Sequence, residues 1–174
     1  LAIEQRLGAN PFKYGVVGGG DIHTSIVAHE EFAFTGEHNL KSDTPRARLL
    51  EGVPGEPSKI EQGSAGLSCV WAEENTREAI YDAMARRETW ATSGTRMVVR
   101  VFGGFDFANA KPGDKDWTRV GYKKGVPMGG DLRRAAKGAA PQLLIAASKD
   151  PNSGNLDRIQ VIKGWVDAAG KSHD

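Results

Sequence analysis

The sequence predicts an α+β fold, in which one helix is followed by a β-rich C-terminal half. The helix is indicated by apolar side chains at helical spacing, namely Ile80, Ala83 and Met84. Three apolar runs indicate the β-rich half, and they lie at residues 97–102, 142–147 and 158–163. Turns rich in glycine, proline, aspartate and asparagine separate these runs, which is typical of an antiparallel sheet or sandwich.

The predicted helix has clear signals at its start. Asn75 or Thr76 is expected to be its N-cap, and the helical pattern continues to about Arg87. An apolar strand is predicted before it at residues 67–72, and an extended segment after it at residues 89–92. This part of the chain therefore reads as strand, helix and strand.

The N-terminal stretch predicts a helix and a strand in front of a glycine run. The helix covers residues 1–7 and ends at Gly8, which suits the C′ position. A short buried strand is predicted at residues 12–17 and leads into the glycines at 18–20. The chain opens inside a helix and closes just after a strand-like stretch, so we expect it to be a fragment of something longer.

Composition places the chain among globular proteins of ordinary charge. Its 174 residues are 39% hydrophobic and 26% charged, and 23 basic against 22 acidic side chains leave a net charge of +1. This balance gives no electrostatic footprint for nucleic acid or an anionic membrane, so neither partner is expected. The single cysteine, Cys69, excludes an internal disulfide and a cysteine-based zinc knuckle, and we expect it to be a small buried hydrophobe.

The chain divides into three predicted parts. Residues 1–38 contain the first helix, the strand and the glycine run. Residues 39–66 are rich in glycine, proline and charge, which is typical of a loop or linker. Residues 67–174 hold the helix and the β-rich domain.

Asp21 and His23 are the candidate chemical pair. They follow the glycine run and are separated by one residue, so their side chains point the same way if the backbone stays extended. A carboxylate and an imidazole together commonly hold a divalent metal, although two ligands make only a partial site. The alternative is structural, with the aspartate closing a turn and the histidine acting as a hydrogen-bonding group.

Other polar residues give weaker signals. Arg96 follows a hydroxyl and a glycine and could grip an anionic substrate, or pair with a carboxylate between domains. Glu73 and Glu74 precede a helix, where acidic side chains favour the positive end of the macrodipole without any catalytic role. The glycines at residues 15–20 fail the dinucleotide-binding spacing, because His23 stands where a glycine is required.

Several longer motifs resemble one bacterial family. They lie at residues 10–15, 21–23, 70–79, 87–94, 100–106, 125–131 and 155–165. Together they resemble the family called domain of unknown function 3604. Its members look like metallohydrolases of the polymerase-and-histidinol-phosphatase (PHP) superfamily, close to the carbaryl-hydrolase-like group.

This resemblance implies a metal-binding βα barrel followed by a β-rich domain, of which the chain resembles the last barrel segment and the C-terminal domain. Asp21 and His23 match the family's terminal Asp-x-His ligands, at the strand end where barrel active sites form. The glycines at 18–20 depart from the family, which often has serine or threonine before the aspartate.

The expected function is that of part of a metal-dependent hydrolase acting on a small-molecule phosphoester or carboxylic or carbamic ester. A zinc, manganese or iron ion would activate water, with Asp21 as ligand and proton acceptor and Arg96 as the substrate-binding residue. The isolated chain is expected to bind metal weakly and to be weakly active or inactive. The alternative is a non-catalytic β-rich binding or self-assembly module that forms a homo-oligomer. The sequence leaves the bacterial compartment, cytoplasmic or periplasmic, open.

Overall fold

The computed structural model describes residues 2–19, 46, 66–133 and 138–174. The helices in these ranges are α1 (Ala2–Leu7), α2 (Arg77–Ala85) and α3 (Trp117–Lys124). The strands are β1 (Leu67–Val70), β2 (Thr89–Thr92), β3 (Val98–Gly104), β4 (Gly125–Pro127), β5 (Gln142–Ser148), β6 (Trp165–Val166) and β7 (Ser172–His173). They form three antiparallel sheets, β1–β2, β4–β3–β5 and β6–β7, so the α+β class is confirmed.

Helix α2 connects the two strands of the first sheet, as the sequence predicts. The register runs from Leu67 opposite Thr92 to Val70 opposite Thr89. Thr76 is the N-cap, since its hydroxyl accepts a hydrogen bond from the Ala79 amide at 3.3 Å. The helix ends before the predicted residue because the backbone at Arg87 turns into the left-handed region, with φ at 62°.

The second sheet carries the hydrophobic core. Its central strand, β3, pairs with β4 on one side and with β5 along its whole length on the other. Phe102 on β3 is fully buried and packs with Phe107 and Leu144. Helix α3 lies against this cluster, and its Trp117 ring contacts the Phe102 ring edge-to-face, with the ring centroids 5.7 Å apart. Close approach requires Gly121, because a Cβ there would lie 2.5 Å from that ring.

The N-terminal segment lies along the first sheet without joining it. Helix α1 ends at Gly8 with φ at 74°, as predicted. Further on, the Ser68 hydroxyl accepts a hydrogen bond from the Gly18 amide at 3.0 Å and donates one to the Gly18 carbonyl at 2.9 Å. A Cβ on Gly18 would lie 2.5 Å from the Leu67 carbonyl oxygen, so only glycine allows this approach. The segment is therefore fixed at Gly18 to strand β1.

Two predicted strands are wrong. Residues 12–17 are not a strand, because the Val16 amide donates to the Thr89 hydroxyl rather than to a backbone carbonyl. They are not buried either, since Val17 is 68% exposed. Residues 158–163 also lie outside the sheets, with Ile162 76% exposed. Alternating apolar side chains suit a strand only where a neighbouring strand supplies backbone partners.

The last sheet, β6–β7, is a small hairpin beyond the predicted strand. Trp165 stacks on His173 with ring centroids 5.1 Å apart. Asp167 closes the turn, since its carboxylate accepts hydrogen bonds from the Ala169 and Lys171 amides and contacts the His173 ring at 2.8 Å. These bonds lower the pKa of Asp167, with the contact to His173 as the largest cause.

No helix among residues 2–19, 66–133 and 138–174 is long and apolar enough to cross a membrane. Cys69, expected to be buried, is partly buried on strand β1, and this burial raises the pKa of its thiol.

We expect Gly121→Ala to destabilise the protein, because the added methyl group would overlap the buried Phe102 ring. Contacts as short as 2.5 Å with a buried ring put the overpacking cost in the upper part of its usual range, at about 2–3 kcal/mol. Replacing a helical glycine returns up to about 1 kcal/mol. Urea unfolding should show a net loss of about 1–2 kcal/mol. Gly154→Ala is the control, since no atom of the described residues lies within 4 Å of a Cβ there. Equal stability of the two variants would contradict the packing of α3 on Phe102.

Candidate functional site

The predicted metal pair, Asp21 and His23, lies outside the described residues, and so its role stays a prediction. Arg96 is described and exposed. Its backbone amide donates to the Asp150 carboxylate at 2.7 Å, and this bond is the largest cause that lowers the pKa of Asp150. Arg96 is therefore tied through its backbone to the turn after β5, while its substrate role also stays a prediction.

The segments that lead to Asp21 and to Arg96 leave the same end of the first sheet. A Cβ on Gly66 would lie 2.8 Å from the Gly19 amide nitrogen and 3.0 Å from the Thr92 carbonyl oxygen. Gly19 and Thr92 thus meet across Gly66, at the beginning of β1 and the end of β2. The chain continues from Gly19 towards Asp21 and from Thr92 towards Arg96.

Within the described ranges no group of three or more histidine, cysteine or acidic side chains could hold a metal ion. The chemically unusual cluster among these residues lies elsewhere, between the first two sheets.

Glu88 is the centre of this second cluster. It connects α2 to β2, and its side chain is only 1% exposed. The backbone at this residue is fixed on both sides, because its amide donates to the Ala83 carbonyl and its carbonyl accepts from the Trp71 amide, each at 3.0 Å. The turn that ends helix α2 therefore directs a carboxylate into the protein, where it must be hydrogen-bonded to be tolerated.

A chain of polar contacts satisfies this carboxylate and joins three elements. The Tyr122 hydroxyl on α3 donates to Glu88 Oε1. Arg100 on β3 donates from Nη2 to the same hydroxyl at 2.7 Å. The other carboxylate oxygen lies 3.5 Å from Arg86 Nη2. Burial, and then the bond to Glu88, raises the pKa of Tyr122, so its hydroxyl stays protonated and continues to donate at neutral pH.

Arg100 is held by aromatic faces. Its guanidinium carbon lies 4.0 Å from the ring centroid of Trp71, and 5.3 Å and 5.6 Å from those of Tyr122 and Phe102. Trp71 is fixed in turn, since its indole donates to the Val99 carbonyl at 3.0 Å and its ring packs on Trp90 at 5.1 Å. The guanidinium therefore lies against a rigid aromatic wall.

The charge of Arg100 has no counter-ion in the described part of the chain. None of the described carboxylates lies within salt-bridge distance of it. Its Nε is buried without a hydrogen-bond partner, and the bond to Tyr122 is its one side-chain hydrogen bond there. A buried donor without a partner is rare in native proteins and requires an explanation, and a functional site is one.

These groups surround a cleft of about 510 Å³ between the first two sheets. It is lined by Trp71, Ala72, Glu73, Arg86, Glu88, Arg100, Tyr122 and Pro127. A volume of this size suits a small organic ligand.

The site residues predicted from the sequence do not include Glu88, Tyr122 or Arg100. One signal was present, because Arg100 interrupts the apolar run at 97–102, where a charged side chain needs a reason. Nothing local marks Tyr122, since its contact with Glu88 spans 34 positions of the chain.

We expect Tyr122→Phe to destabilise the protein, because it removes the donor to the buried Glu88 carboxylate. Leaving one buried acceptor unsatisfied costs about 1–3 kcal/mol. Tyr81→Phe is the control, since Tyr81 is 70% exposed on α2. Urea unfolding should show that loss for the first variant and a change within about 0.5 kcal/mol for the second. A neutral effect of Tyr122→Phe would contradict the hydrogen-bond chain.

The model of the family described as "Protein of unknown function (DUF3604)" matches residues 1–174. No curated protein and no solved structure matches the chain. The full-length match confirms the family resemblance of the sequence motifs, and the chain belongs to the DUF3604 family.

Proposed function

We propose that this chain forms part of a metal-dependent hydrolase that cleaves an ester-type bond, either a phosphoester or a carboxylic or carbamic ester. The proposal includes a relation to the PHP superfamily and its carbaryl-hydrolase-like group, with residues 1–38 as the end of a βα barrel. The observation that carries it is the Asp-x-His pair, Asp21 and His23, which directly follows a segment fixed to the first sheet at Gly18.

The fixed segment supports the proposal because it limits where the pair can lie. Asp21 is two residues beyond Gly19, so their Cα atoms are at most about 8 Å apart. Arg96 is four residues beyond Thr92, which corresponds to at most about 15 Å. Since Gly19 and Thr92 meet at Gly66, the segments that continue to Asp21 and to Arg96 start from the same end of the first sheet.

The donor set fits a divalent metal in part. A carboxylate oxygen and an imidazole nitrogen suit zinc, manganese or iron, but a stable site needs further ligands from other segments. When bound, the metal would supply a Lewis acid that lowers the pKa of a water molecule. Asp21 and His23 would hold the ion through these atoms.

The remaining roles belong to this chain's own side chains. The second carboxylate oxygen of Asp21 would accept the proton that the attacking water loses. Arg96 would bind the anionic or polarised oxygens of the ester, which a guanidinium can contact with two N–H groups. The tie between its backbone and Asp150 supports this role, because it limits the freedom of the residue from which the side chain extends.

A second candidate is a non-catalytic module that associates with copies of itself. The observation that favours it is the exposed apolar surface along residues 156–162 beside β3 and β5. Ile159 and Ile162 are both more than half exposed there, and Leu143 on β5 is 49% exposed. A surface of this kind often marks an interaction site.

We expect Asp21→Asn to weaken zinc or manganese binding. Loss of an outer-shell partner typically lowers metal affinity about 10- to 100-fold, and removal of a direct ligand should lower it at least as much. Isothermal titration with each metal, followed by metal-dependent hydrolysis of 4-nitrophenyl acetate and 4-nitrophenyl phosphate, measures both properties. Asp157→Asn is the control, because Asp157 is an exposed carboxylate paired with its neighbour Arg158.

Equal metal affinity in Asp21→Asn and in the parent chain would contradict the metal site. So would the absence of binding to the parent chain at millimolar metal. In either case, light scattering after size exclusion decides the second candidate, which requires a mass of at least a dimer.

A further inference from the structure

We propose that the cleft around Arg100 is a binding site for a small organic carboxylate with a planar apolar body. The site is separate from Asp21 and His23, and it requires no metal. The proposal is carried by one juxtaposition: a guanidinium without a counter-ion lines a cleft whose wall is aromatic.

The unmatched charge of Arg100 argues for an anion. Arg86, the other guanidinium of the cleft, already faces the Glu88 carboxylate at 3.5 Å. Arg100 reaches that carboxylate only through the neutral Tyr122 hydroxyl. A guanidinium has five N–H donors in a planar fork, and in the described part of the chain the side chain of Arg100 uses one nitrogen for a hydrogen bond. A carboxylate can accept two parallel bonds from such a group.

The negative charges of the cleft do not cancel this preference. Glu88 is buried, and its carboxylate already contacts the Tyr122 hydroxyl and Arg86. Glu73 is exposed, so water screens its charge. A ligand carboxylate at Arg100 would therefore contact a guanidinium that forms no salt bridge with any described acidic side chain.

The walls argue for an apolar, planar body. Trp71, Tyr122 and Pro127 line the cleft, and the Trp71 ring is held in place by its own hydrogen bond and by Trp90. Apolar walls that are already held in position bind an apolar group of matching shape at a small cost in conformational entropy. The cleft volume of about 510 Å³ accommodates a single substituted ring.

The test is a titration of the full chain with sodium benzoate, followed by the indole N–H resonances of the tryptophans. We expect the Trp71 resonance to shift and that of Trp165, which lies in the β6–β7 hairpin, to stay. Benzamide lacks the charge and acetate lacks the ring. Each should bind at least about tenfold more weakly than benzoate. Benzamide loses a charge-assisted contact, which corresponds to about that factor. Acetate loses the apolar area that the ring would bury against the cleft walls.

Arg100→Gln should weaken benzoate binding at least about tenfold, whereas Arg119→Gln should leave it unchanged. Arg119 is the matched control because it lies on α3, is mostly exposed and pairs with Asp116 at 3.2 Å. The benzamide comparison in the parent chain keeps the test valid if Arg100→Gln fails to fold. Equal affinity for benzoate and benzamide, no shift of Trp71 at 10 mM benzoate, or full binding by a folded Arg100→Gln variant would overturn the proposal.

Discussion

The burial of one carboxylate is the constraint on which the described structure depends. Glu88 is turned inward where α2 meets β2, and a buried charge is tolerated only with partners. Its partners are Arg86, just after α2, and the Tyr122 hydroxyl on α3, which in turn accepts a hydrogen bond from Arg100 on β3. Satisfying the charge therefore also joins the first sheet to the second. The same arrangement holds Arg100 against the Trp71 ring at the cleft. The contacts that stabilise Glu88 therefore also position the guanidinium of the proposed binding site.

The proposed hydrolytic site depends on a different part of the structure, the attachment of the N-terminal segment to strand β1. The chain that leads to Asp21 is held to strand β1 by the Ser68 hydroxyl and by the close backbone approach that Gly18 allows. The glycines at 18–20 depart from the expected family pattern, and at Gly18 the close approach to Leu67 explains why a glycine is required. The two proposed sites therefore use separate parts of the fold, and each can fail without the other.

Local signals predicted the elements that local chemistry determines. The α2 helix follows from its cap at Thr76 and its apolar spacing, and β3 and β5 follow from apolar runs between turns. Residues 158–163 have a strand-like pattern but lie outside the sheets and have no strand partner in the described part of the chain, which no local signal reveals. Helix α3 was missed because it is short and largely polar, and its packing depends on a distant ring, Phe102. The Glu88 cluster was missed for the same reason, since its contacts are long-range.

A double-mutant cycle on Glu88→Gln and Tyr122→Phe tests most directly whether the buried carboxylate fastens the two sheets together. Groups joined by a hydrogen bond show coupling energies of about 0.5–3 kcal/mol, whereas independent sites add within about 0.5 kcal/mol. We expect a coupling energy of at least about 1 kcal/mol from urea unfolding of the four proteins. Additive effects would contradict the central role of the Glu88–Tyr122 contact.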